Sequence, residues 1–192
     1  MSPPEPETRH RQADDAFSGL PGNPMMWLLI ASELLVFGAA LLGFAGARAF
    51  APLAFAEAQA HLDRLTGLIN VMVLLTSGLF AALAVQGIRA GQRAVARRHL
   101  ALAATLGLVF LAFKIAEYRA ELDAGFSFES GTFFMLYFLI TGFHALHVVL
   151  GIIILGIVAF HATVENIETG AAFWHMVDLV WLLVFPIVYL IR

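Results

Sequence analysis

The run TFFMLYFLITGFHALHVVLGIIILGIVAF, Thr132–Phe160, contains no Asp, Glu, Lys or Arg. At about 1.5 Å per residue a helix of this length reaches roughly 43 Å, against a bilayer hydrocarbon core of roughly 30 Å. It predicts a spanning helix that tilts or projects from the membrane. A barrel strand is excluded, because the run is far too long and does not alternate apolar with polar residues.

Four further runs come close to the length of about 20 mostly apolar residues that a span requires. They predict helices over 25–47, 65–88, 100–118 and 173–190. Asn23-Pro24 is a helix-start signal for the first, and Pro186 should bend the last. No internal repeat or second domain is visible. The expected fold is all-α, an integral membrane bundle of five transmembrane helices within residues 25–192. Residues 1–24 are polar and Pro-rich and lack the order of a signal peptide, so they read as a flexible cytoplasmic tail.

Composition agrees. The chain of 192 residues is 60% hydrophobic and 13% charged, with a mean hydropathy of +0.84. Soluble domains hold about 45–50% apolar and about 25% charged residues. A soluble fold of this length has too little polar surface to cover such a chain. The net charge of -3 and the lack of a basic cluster argue against a nucleic-acid partner. With no cysteine, disulfides, iron–sulfur clusters and thiolate metal sites are excluded. Arg9, Arg11, Arg89, Arg93, Arg97 and Arg98 outnumber Arg48, Arg64, Arg119 and Arg192 on the opposite side. The N-terminus is therefore expected in the cytoplasm and the C-terminus outside.

Charged or strongly polar side chains inside a span are costly, about 2.5–3.5 kcal/mol for a charge at mid-bilayer, and each needs a reason. The candidates are Glu33, Asn70, Lys114, Glu117, His144, His147, His175 and Asp178. Lys114 and Glu117, spaced i,i+3 on one face, read as a structural ion pair near the interface, the lysine snorkelling outward. Glu33, His147, His175 and Asp178 share one expected depth. His144, His147 and His175 are considered as a three-histidine metal site, but their spacing is not distinctive. Hydrogen bonding between helices is the better account, and no catalytic, metal or cofactor-binding residue is assigned. Glu33 has two readings, a proton-handling carboxylate or a buried group that locks helix packing, and the residues alone leave both open. Ser32, Ala39, Gly43 and Gly46 suit close helix approach. Intramembrane carboxylates also raise the possibility of a stand-alone transporter. The odd helix number and the absence of inverted repeats or paired broken helices speak against it.

Motifs in all five runs then line up: Ser32-Glu33-Leu34-Leu35-Val36-Phe37; Leu68-Ile69-Asn70 with Leu74-Leu75-Thr76-Ser77; Glu117-Tyr118; Thr141-Gly142-Phe143-His144-Ala145-Leu146-His147-Val148 with Gly151; and Phe173-Trp174-His175-Met176-Val177-Asp178-Leu179-Val180-Trp181. Together they resemble subunit III of the haem–copper oxidases over residues 25–191, in the five-helix form that lacks the first two of seven helices. Lys114 before Glu117-Tyr118, and the opening Pro21-Gly22-Asn23-Pro24-Met25-Met26-Trp27, are similar to the NorE-type branch, bacterial proteins that accompany nitric oxide reductase. The alternative is an ordinary subunit III of a cytochrome c or quinol oxidase. The resemblance implies an accessory, non-catalytic subunit in the bacterial inner membrane that binds no haem or copper itself. Haem, with copper or non-haem iron, would lie in partner subunits, and structural phospholipid on this chain. By position Glu33 matches the family's intramembrane carboxylate, and His144, His147, His175 and Asp178 its buried polar set.

Overall fold

In lipid each backbone N–H and C=O needs an internal partner, so an apolar run closes its own helical ladder. The computed structural model describes residues 24–191, and all regular structure among them is helical. The helices are α1 (Pro24–Phe50), α2 (Pro52–His61), α3 (Arg64–Arg89), α4 (Arg93–Asp123), α5 (Thr132–Phe160) and α6 (Val164–Phe185), which continues into a π-helical turn at Pro186–Leu190. Five of them, α1, α3, α4, α5 and α6 with its turn, are long and apolar enough to cross a membrane. The fold is thus the expected all-α bundle. Residues 1–23 lie outside the described residues, and the expected tail with them. The face on which α1 begins is termed proximal and the other distal.

Several bounds differ from expectation. Helix α4 runs past its apolar segment at both ends, through Arg93–Arg98 and on to Asp123, because Ala, Arg, Leu and Glu are all good helix formers. Helix α6 starts well before Phe173, where the Thr163 side chain accepts from Asn166 N–H at 3.1 Å. Helix α2 occupies a stretch expected to be loop. Pro52 opens it, but at 10 residues it is too short for a search for spans to find. It lies on the distal face, with Phe55 edge-on to Phe44 of α1 (5.3 Å) and Phe133 of α5 (5.5 Å). At Pro186 the missing N–H removes one α-helical bond. The chain widens there into the π turn, closed by Ile191 N–H donating to Pro186 O at 2.9 Å.

Short connections hold the spans antiparallel. Asp63 caps α3 by accepting from Leu65 N–H (2.9 Å) and the Thr66 hydroxyl (2.6 Å). Gly91 (φ 75) and Gly125 (φ 88) end α3 and α4 in the left-handed region. There Gln92 N–H reaches back to Gly87 O and Phe126 N–H to Glu121 O, both at 2.9 Å, the pattern of glycine-terminated helices. On the proximal face Arg89 Nε meets Glu168 Oε1 at 2.8 Å.

Helix α6 is the most buried span and packs against α3, α5 and α1, while α4 lies along α3 and α5. Its Trp174 is the wedge of the core. A Cβ on Gly107 of α4 would fall 2.7 Å from Trp174 Cη2, and one on Gly151 of α5 2.7 Å from its Cε3. The indole is therefore clasped between two helices that have no side chain there. Its Nε1 donates to Ser77 Oγ (3.0 Å), which donates to Ala103 O (2.7 Å). One residue thus ties α6 to α3, α4 and α5.

Candidate functional site

The deepest polar group is built around Lys114. Helix α4 carries Lys114 and Glu117 on one face, with Nζ 3.2 Å from Glu117 Oε2. Lys114 donates to the hydroxyls of Tyr137 (3.0 Å) and Tyr189 (2.7 Å). Both tyrosines donate onward to Glu117 Oε1, at 2.7 and 2.5 Å. The ammonium also lies 4.6–5.4 Å from the ring centres of Tyr118, Tyr137, Trp181 and Tyr189, within cation–π range. Lys114 is 1% exposed, so the expected outward snorkelling does not occur. The hydroxyls and aromatic faces replace the water it would otherwise seek. Tyr118 joins the shell through its hydroxyl, 2.7 Å from Thr141 Oγ1. The chain's single lysine and all three of its tyrosines thus meet at one point.

The second group joins α1 to α5. Glu33 Oε2 lies 3.1 Å from His147 Nε2, and His147 Nδ1 is 2.9 Å from Phe143 O. A carbonyl can only accept, so Nδ1 carries its proton. The contact to Glu33 then holds one shared proton, on the acid of a neutral pair or on the imidazolium of a charged one. Phe37 packs edge-on to His147 at 5.2 Å.

The expected common layer divides. Glu33 and His147 pair, whereas His175 and Asp178 sit where α6 meets α3, beside Gly78. Asp178 Oδ2 is 3.8 Å from His175 Nδ1, beyond hydrogen-bond reach. His144 faces the interior, stacked on Trp181 (5.1 Å) and edge-on to Phe110 (5.5 Å). Its two ring nitrogens, and both polar atoms of the fully buried Asn70, have no protein hydrogen-bond partner. The interhelical bond expected of the α5 histidines is therefore made by His147 alone. His144 sits among rings that offer no acceptor.

Sequence reasoning assigned nothing to Tyr137 or Tyr189, and named Ser77 and Trp174 only as members of longer motifs. It counted Arg48 only for orientation and assigned nothing to Gln59. These donate to carbonyls of the π turn and of Ile191 after it, Arg48 to Ile187 O and Ile191 O (both 2.6 Å) and Gln59 to Val188 O (2.8 Å). A signal existed for the tyrosines, since a phenol in an otherwise aliphatic span needs a partner as much as a charge does. His144, His147 and His175 are not brought together as the three-histidine site would need. His144 is enclosed by Phe110 and Trp181, and His147 has both nitrogens engaged. Among the described residues no three His, Asp or Glu side chains converge as a metal ion requires.

The model of the family described as cytochrome c oxidase subunit III matches residues 23–191. Cytochrome c oxidase subunit 3 of Cyprinus carpio is 37% identical over 130 residues, 64% of this chain and 49% of the relative. That of Schizophyllum commune is 37% identical, covering 64% of this chain and 47% of the relative. A heme-copper oxidase subunit I+III of Aeropyrum pernix is 29% identical over 181 residues, 86% of this chain and 22% of the relative. The chain spans about half the length of the subunit 3 relatives it matches.

Proposed function

The chain belongs to the cytochrome c oxidase subunit III family, and on that footing we propose that it is a non-catalytic accessory subunit, docked on the haem-bearing catalytic subunit of a haem–copper oxidase superfamily complex. The observation that carries this reading is the reach of the family match, which takes in all five spans. The name of the Aeropyrum pernix relative joins subunits I and III in one chain, which supports a subunit III seated beside a subunit I. The setting is the bacterial inner membrane, with the proximal face cytoplasmic. Haem, with copper or non-haem iron, belongs to the partner, and this chain contributes packing, lipid contact and assembly. Lys114, Glu117 and the tyrosines around them hold α4, α5 and the π turn together. Glu33 and His147 hold α1 on α5, and stabilisation is their first role ahead of proton handling.

For the partner's chemistry the first reading is nitric oxide reduction, as in the NorE-type branch. It is supported by Lys114 and the Pro21–Trp27 opening. The names of the relatives, cytochrome c oxidase subunit 3, favour the second reading, an oxygen-reducing oxidase. Purifying the tagged chain from native membranes in mild detergent tests both. The expected result is a stoichiometric haem-bearing partner that consumes nitric oxide. A partner that consumes oxygen alone selects the second reading. Recovery of the chain with no haem protein overturns both.

A further inference from the structure

At the distal end of α4 the chain folds back on itself. Gly125 takes the left-handed conformation (φ 88), and Phe126 N–H returns to Glu121 O at 2.9 Å. That reversal brings Phe126 to the wall of a cavity of about 370 Å³, shared with Phe113, Glu117, Glu121, His61 and Asp63. Its mouth is formed by His61, Asp63 and Phe113, which are exposed. Its floor is formed by Glu117 and Glu121, each 6% exposed.

The floor carries two carboxyl groups one helical turn apart, where like charges repel, and one cation that is already engaged. Lys114 Nζ lies 3.2 Å from Glu117 Oε2, and the Tyr137 and Tyr189 hydroxyls donate to Glu117 Oε1. At the mouth Asp63 accepts from Leu65 N–H and the Thr66 hydroxyl, and His61 packs its ring on Phe126, 4.6 Å between centres. The Glu121 side chain takes part in no hydrogen bond or salt bridge among the described residues. The charges within its electrostatic reach are Glu117, His61 and Lys114. A carboxyl group buried to this degree, beside a like charge and with no donor, is costly to keep unless something in the cavity answers it.

We propose that this cavity binds an organic ammonium group, R–NH3+, held by the Glu121 carboxylate and the rings of Phe113 and Phe126. Carboxylates and aromatic rings around one cavity are the surroundings that recognise ammonium ions. An ammonium has three N–H donors and no acceptor, which matches a wall of acceptors and ring faces. A bare metal ion fits less well, since no three His, Asp or Glu side chains converge among the described residues. Glu117 Oε2 is covered by protein, so Glu121 makes the contact and Glu117 adds its charge from one turn deeper. The cavity opens where the end of α4 meets water and lipid headgroups, so a soluble amine and the headgroup of phosphatidylethanolamine both have access. All of these groups belong to this chain, and the site is independent of the partner's chemistry.

Isotope-filtered NMR of the purified full-length chain in maltoside micelles tests it, with isotope-labelled ethylammonium as the probe. The expected result is saturable binding with contacts from the ethyl protons to the rings of Phe113 and Phe126, and none for ethanol, which has the same skeleton without the charge. Glu121→Gln should weaken binding about tenfold or more, and Phe126→Leu about threefold. Glu121 bonds nothing within the chain, so Glu121→Gln should fold as well as the parent; where it does not, the ring contacts in the unaltered chain decide the matter. Displacement of the probe by phosphatidylethanolamine but not by phosphatidylglycerol identifies the lipid headgroup as the source, and displacement by neither identifies a soluble amine. Displacement by both alike, or by sodium at the probe's own concentration, overturns the inference. Absent ring contacts, equal binding of ethanol or unchanged affinity in Glu121→Gln overturn it too.

Discussion

Removing Glu117 should destabilise the bundle more than removing Lys114, and removing both should cost less than the sum. The hydroxyl protons of Tyr137 and Tyr189 point to Glu117 Oε1, while the same oxygens accept from Lys114. In E117L the buried ammonium loses its counter-ion and two buried phenol protons lose their acceptor. Breaking a buried pair from one side costs about 3–5 kcal/mol. In K114M the carboxylate keeps both phenol donors, and methionine fills the stem's volume between the rings. The loss is then nearer that of hydrogen bonds to a charged group, about 1.5–3 kcal/mol. The double variant buries no unpaired charge, so a double-mutant cycle should give a coupling of about 2 kcal/mol or more. Reversible unfolding in mixed micelles of mild detergent and dodecyl sulfate, followed by tryptophan fluorescence, measures all three. Trp181 is a built-in reporter, 5.3 Å from Lys114 Nζ. An E117L cost no greater than that of K114M, or additivity within about 0.5 kcal/mol, refutes the reasoning.

Three further outcomes use the same unfolding measurement. Gly151→Ala drives a methyl into the Trp174 indole and should cost about 1–3 kcal/mol as overpacking, with part recovered by adding Trp174→Phe; a neutral effect of Gly151→Ala contradicts the clasp. Glu33→Gln keeps a hydrogen bond to His147 Nε2 and should cost under about 1 kcal/mol, whereas Glu33→Leu should cost about 1–2 kcal/mol; equal losses would show that the contact contributes nothing. Asp63→Ala removes the α3 cap at a cost of about 0.5–2 kcal/mol near neutral pH. The Thr66 hydroxyl, more than any other contact, holds the Asp63 carboxyl below its ordinary range. The cap's contribution is therefore full above the ordinary carboxylate pKa and is lost as pH falls through the lowered one. Stability profiles of the two proteins should converge in acid, and parallel profiles would count against the cap.

The bundle was readable because bilayer length and backbone satisfaction leave one solution for a long uncharged run. Thr132–Phe160 needs no tertiary information to be a span. What escaped was whatever hydropathy does not measure. Helix α2 is a surface helix with only Phe55 and Gln59 buried, so no apolar stretch of spanning length marks it. The ends of α4 are charged yet helical, because helix propensity and hydropathy are separate properties. The π turn after Phe185 depends on which carbonyls Pro186 leaves free and on Arg48 and Gln59, more than 120 residues away in sequence, which collect them.

The buried polar residues were findable one by one, since each is an expensive exception to the apolar rule, but their pairing was not. Depth along a helix follows from counting residues, whereas azimuth depends on neighbours. Glu33, His147, His175 and Asp178 share an expected depth and still divide between two faces. Lys114 and Glu117 could be paired from sequence only because one helix carries both. The distinction that matters for function lies in the same azimuthal information. Lys114, Glu117, Glu33 and His147 are answered within the chain, whereas Asn70, His144 and one oxygen of Asp178 have no hydrogen-bond partner among the described residues. A polar group satisfied internally holds this protein to itself, and which groups are satisfied follows from the neighbour that each helix face meets.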